Sequence, residues 1–154
     1  MIESPEITRT EAQPAAVIHF TIAREEMSNV MGPGIGELMA AIAAQNVAPA
    51  GPVFAHHLRM DPKTFDFELG VPVATPVSAA GRVKPIVLPA MRVARTIFHG
   101  PYEGLPGAWA DFDAWIAAEG HTPAPDVWES YVTNPDTHPD PATWRTELTR
   151  PVID

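Results

Sequence analysis

Residues 88–120 read LPAMRVARTIFHGPYEGLPGAWADFDAWIAAEG, followed by VWESYVTNP at 127–135 and TWRTELTRPV at 143–152. The period of the apolar residues changes along this stretch. After Pro89, Met91, Val93, Arg95 and Ile97 share one face of an extended segment over 91–98. Trp109, Phe112, Trp115 and Ile116 then recur at three- and four-residue spacings, which predicts a helix over 106–119. Asp111, Asp113 and Glu119 lie away from that stripe, and Gly120 stops the helix. Trp109, Phe112, Trp115 and Ile116 are expected to anchor it to a sheet. A strand bounded by Pro125 and the Asn134-Pro135 turn comes next. In the last strand Trp144, Thr146 and Leu148 oppose Arg145, Glu147 and Thr149.

Toward the N-terminus the same order recurs. Residues 16–24, AVIHFTIAR, read as a strand, and a Gly-Pro-Gly turn leads into a helix over 34–46 carrying Ile35, Leu38, Met39 and Ile42, with Asn46 as its stop. Strands at 53–60 and 64–73 follow. In the second, Phe65, Phe67, Leu69, Val71 and Val73 alternate with Asp66, Glu68, Gly70 and Pro72, a solvated-face pattern. Residues 15–73 and 91–153 thus read as two strand–helix–strand–strand units closing one core, and VFAHHL lies beside VWESYV with His57 matched to Tyr131. The expectation is one α+β domain over 15–153 behind a flexible leader, residues 1–14.

Composition narrows the function. The 154 residues contain no cysteine, which removes disulfide scaffolds, thiolate metal sites and cysteine nucleophiles. The net charge is −9; residues 101–154 hold two basic and ten acidic side chains, a net of −8. Nucleic acid is therefore not expected as a direct partner, whereas a cationic or neutral ligand is. The polar, acidic N-terminus is unlike a signal peptide and no apolar run reaches membrane-spanning length, so a cytoplasmic protein without membrane contact is expected.

The usual catalytic motifs are missing from the sequence. Adjacent His56 and His57 point to opposite strand faces and make a poor chelating pair, and no H-E-x-x-H segment occurs; no metal is expected. GPGIG lacks the dinucleotide and P-loop patterns, so no cofactor is expected, and none of the four serines sits in G-x-S-x-G. Glu129 and Tyr131 share one face of VWESYV, opposite Trp128, Ser130 and Val132. On a solvated face the pair does nothing. In a concavity it presents a carboxylate beside an aromatic ring, suited to a cation or to proton transfer.

These segments resemble the bacterial gyrase-inhibitor-like small-molecule-binding family, which includes effector-binding domains of AraC-type and MerR-type transcription regulators. The resemblance spans about 15–153. Its specific features are Leu88-Pro89-Ala90, His99-Gly100-Pro101-Tyr102, the Trp109/Trp115 helix, Glu129-Ser130-Tyr131, Asn134-Pro135 and Thr149-Arg150-Pro151-Val152; Gly34-Ile35, Pro52-Val53 and FDFELGVPV match more loosely. It implies a duplicated strand–helix–strand–strand fold with pseudo-twofold symmetry and a central ligand cleft. The implied ligand-binding residues are Glu129, Tyr131 and Tyr102, accompanied by His57, Phe67 and Trp109. His57 stands where the family commonly has an aromatic residue. A leader of this length is not expected to hold a DNA-binding domain. Three roles follow from the resemblance: binding of hydrophobic or cationic small molecules for sensing or sequestration; hydrolysis of strained electrophiles with Glu129 and Tyr131 as catalytic residues; and interaction with a protein partner.

Overall fold

The computed structural model describes residues 2–60, 63–133 and 137–153; the expected Asn134-Pro135 turn lies outside them. In chain order the elements are β1 (Glu6–Arg9), β2 (Gln13–Ala23), α1 (Met27–Ala44), β3 (Phe54–Met60), β4 (Thr64–Pro72), β5 (Lys84–Leu88), β6 (Arg92–His99), α2 (Leu105–Ala118), β7 (Val127–Tyr131) and β8 (Arg145–Pro151). They form two compact units. The N-terminal unit is Glu11–Ala90, and the C-terminal unit joins Met1–Thr10 to Met91–Asp154. Among the described residues no helix is long and apolar enough to cross a membrane.

The N-terminal unit has an antiparallel sheet in the order β3–β4–β2–β5. Phe20 pairs with Phe67 and Ile18 with Leu69, so these four share a face. Helix α1 covers it through Leu38 and Ile42, both almost fully buried, and through Gly34, where a Cβ would come within 2.8 Å of Leu69 Cδ2. α1 begins at Met27 and carries Pro33 inside it, instead of starting after a Gly-Pro-Gly turn. The expected solvated face of β4 is also covered at Gly70, which is buried against Phe54 and Val17.

The C-terminal unit has an antiparallel sheet in the order β1–β6–β8–β7. Leu105, Ala108, Phe112 and Ile116 of α2 pack on Ala94, Phe98, Leu148 and Val152, with Trp109 and Trp115 partly buried at the margins. This is the expected helix anchor. Both helices end as their stop residues predict: Asn46 (φ 56°) and Gly120 (φ 80°) adopt left-handed backbone. Val47 N–H then bonds Ile42 O at 3.0 Å, and His121 N–H bonds Ile116 O at 3.1 Å, closing each last turn.

Two strands escape the sequence pattern. The expected leader, residues 1–14, holds β1, paired with β6 from Glu6↔Arg95 to Arg9↔Arg92, and the start of β2. β5 adds to β2 from Gln13↔Leu88 to Val17↔Lys84. Each unit therefore runs strand, helix, strand, strand, and each carries one further strand outside its first: β5 on β2, β1 on β6.

Candidate functional site

The register of the C-terminal sheet decides where Glu129 and Tyr131 point. Glu129 pairs with Leu148 and Tyr131 with Thr146; across β8, Leu148 pairs with Thr96 and Thr146 with Phe98. Partners across antiparallel strands project to one face. Because Phe98 and Leu148 are core residues beneath α2, Glu129 and Tyr131 lie on that helix-covered face. The solvated reading of Glu129 is thereby excluded: its side chain is 9% exposed.

Trp109 and Tyr131 both donate to the buried carboxylate. Trp109, near the start of α2, donates its indole N–H to Glu129 Oε2 at 2.8 Å. Tyr131 donates its hydroxyl to Glu129 Oε1 at 3.0 Å. Hydrogen bonds to both oxygens suit the ionised form, which accepts at each.

Aromatic rings surround this group. Tyr102 sits in a 3-10 turn, Tyr102–Gly104, that begins just after Gly100 (φ 136°). The turn lies tightly on the sheet, since a Cβ at Gly104 would come within 2.6 Å of Phe98 Cζ. The Tyr102 ring meets Tyr131 edge-on at 5.7 Å and Trp144 at 4.8 Å between centroids. Trp144 is fixed by its indole N–H to His138 O at 2.6 Å, and by Gly100 N–H to its own carbonyl at 3.0 Å.

Burial, and secondly the Glu129 charge, raise the Tyr102 phenol above its ordinary range. The same two causes, then the hydrogen bond to Glu129 and the neighbouring Tyr102, hold Tyr131 well above it. Both phenols are therefore neutral at neutral pH, and the site combines one carboxylate with four aromatic side chains: Trp109, Tyr131, Tyr102 and Trp144. A carboxylate beside the negative faces of aromatic rings is a combination that can attract a cation.

Four of the expected site residues, Glu129, Tyr131, Tyr102 and Trp109, come together in this way. Trp144 is a residue the sequence reading left out of the site. Its alternation with Thr146 and Leu148 was a usable signal, because that face is the one carrying Glu129 and Tyr131.

His57 and Phe67 belong to the N-terminal unit. His57 is buried, with its ring 5.5 Å from Phe67 and 5.2 Å from Phe65, while Phe67 stacks on Phe20 at 5.5 Å. Arg24 lies over Phe65, 4.4 Å from the ring centroid. His57 pairs with Phe67 and Ala55 with Leu69, matching Tyr131 with Thr146 and Glu129 with Leu148 in the other unit. Adjacent His56 turns to the opposite face, where it pairs with Glu68.

Comparison with known proteins places this geometry. The C-terminal domain of EcmrR is 20% identical, with a TM-score of 0.86 over 98% of this chain and 98% of that one. EcmrR in a DNA complex gives 21% identity and a TM-score of 0.84; 98% of this chain spans 57% of that longer chain. SAV2435 bound to tetraphenylphosphonium is 10% identical, with a TM-score of 0.65 over 98% of this chain and 94% of that one. No curated protein sequence matches the chain. The family model described as the GyrI-like small molecule binding domain matches residues 3–153. The chain is thus a member of the GyrI-like small-molecule-binding family.

Proposed function

We propose that this protein binds hydrophobic cations at Glu129 and acts in their sensing or sequestration, with no direct role for nucleic acid or membrane. The observation that carries the reading is the buried Glu129 carboxylate, held by Trp109 and Tyr131 and walled by Tyr102 and Trp144. A delocalised organic cation meets both requirements of such a site: aromatic bulk for the walls and charge for the carboxylate. The tetraphenylphosphonium bound to SAV2435 is a ligand of this chemistry. The same reading makes the two units copies of one strand–helix–strand–strand element, and gives His57 and Phe67 ligand contacts in the N-terminal copy.

The test is calorimetry with tetraphenylphosphonium and the neutral triphenylphosphine oxide. Glu129→Gln keeps shape and removes charge. It should weaken the cation by roughly tenfold or more while changing the neutral compound less than about threefold. Equal losses for both, in a variant that stays folded, would refute the charge role.

The carboxylate–phenol pair also favours a hydrolytic reading, in which Glu129 activates water and neutral Tyr131 donates a proton. Mass spectrometry of electrophilic candidates decides between them. More than one product molecule per protein, lost in Glu129→Gln, establishes turnover, and tight binding without product establishes sequestration.

A further inference from the structure

We propose that the Thr146 hydroxyl is a ligand-recognition group of the Glu129 site, selecting cations that carry a hydrogen-bonding atom on their aromatic body. The inference rests on the ligand-binding reading of that site.

Thr146 occupies the middle of the row Phe98–Thr146–Tyr131, beside the row Thr96–Leu148–Glu129, on the face beneath α2. Directly opposed side chains in such rows have Cβ atoms about 5 Å apart, and diagonal ones about 7–8 Å, so Thr146 adjoins both Tyr131 and Glu129. Its side chain is 0% exposed, and its Oγ1 has no hydrogen-bond partner among the described residues. Thr96, buried on the same face, differs: its hydroxyl donates to Glu3 O at 2.7 Å.

A buried hydroxyl without a partner is unfavourable, and valine fills the same space without that cost. The corresponding row of the N-terminal unit, Phe20–Phe67–His57, has an apolar residue in the middle, so the fold does not require a hydroxyl there. Among the described residues the hydrogen-bond network leaves the Thr146 hydroxyl unused. The Tyr131 hydroxyl donates a hydrogen bond to Glu129 Oε1, and the Trp109 indole donates one to Oε2. Thr146 is thus a polar group beside the carboxylate that can both donate to and accept from a ligand.

The experiment compares tetraphenylphosphonium with the three (hydroxyphenyl)triphenylphosphonium isomers, which share its charge and shape, on wild type, Thr146→Val and Thr146→Ser. Wild type should prefer at least one hydroxylated isomer by about three- to tenfold. Thr146→Val should lose that preference while binding tetraphenylphosphonium within about twofold of wild type, and Thr146→Ser should keep it. Since no internal bond is broken, Thr146→Val should melt no lower than wild type. No preference for any isomer, or equal weakening of all four cations in Thr146→Val, overturns the proposal while leaving the Glu129 reading standing. Failure of every cation to bind wild type overturns both.

Discussion

Tyr102 and Tyr131 are the only tyrosines in the sequence, and both belong to the Glu129 group. Phenolate absorbance therefore reports this site without background. An unfolded tyrosine ionises near pH 10, whereas burial and the Glu129 charge raise both phenols in the folded protein. For an acid raised on folding, the stabilising contribution is complete below the unfolded value and is lost as pH climbs through the folded one. Native protein should show little phenolate absorbance at pH 10, with Tyr102 titrating first and Tyr131 later, and stability should fall over the same alkaline range. Tyr131→Phe should make that fall shallower. Titration of both phenols at an ordinary pH in folded protein would contradict the buried arrangement. At this scale the sequence showed which types of residue share a strand face, because a period of two is all that inference needs. It did not show Thr146, since whether a hydroxyl has a partner depends on atoms distant in the chain.

The elements divide by how much of their surface is buried. The strands that make up the centre of each unit, and both helix stops, were legible because each has a buried face or a left-handed terminal residue. β1 and β5 were not. Short strands paired on one side need no sustained apolar alternation, and in β5 the exposure pattern leaves Val87 63% exposed beside Pro85. The start of α1 was illegible for the opposite reason, since Pro33, a breaker by local preference, lies inside the helix beside a glycine packed tightly on the sheet. This contrast gives a paired test within α1. Gly34→Ala drives a methyl to 2.8 Å from Leu69 and 3.3 Å from Phe20, which should destabilise the protein by roughly 1–3 kcal/mol. A Cβ at Gly36 would meet nothing within 4 Å, so Gly36→Ala should stabilise by up to about 1 kcal/mol through helix propensity alone. Denaturant unfolding reads both, and stabilisation by both substitutions would mean that helix propensity rather than contact governs α1.

For the molecule as a whole, the net charge of −9 and the buried carboxylate are separate electrostatic devices. The surface charges act through water and are screened within about 10 Å at 0.1 M salt, whereas Glu129, enclosed by Trp109 and Tyr131, is screened far less. The acidic surface should therefore raise the local concentration of cations in a salt-dependent way, and Glu129 should hold them in a salt-independent way. Tetraphenylphosphonium affinity is expected to fall by about three- to tenfold between 20 and 500 mM sodium chloride, and triphenylphosphine oxide affinity should not fall with it. Glu129→Gln should lower cation affinity by a similar factor at both salt concentrations, leaving the slope of affinity against salt unchanged. If the substitution abolished that slope instead, the carboxylate would have to be reached by solvent ions, and the cation would be held at an open surface rather than in the enclosed aromatic group.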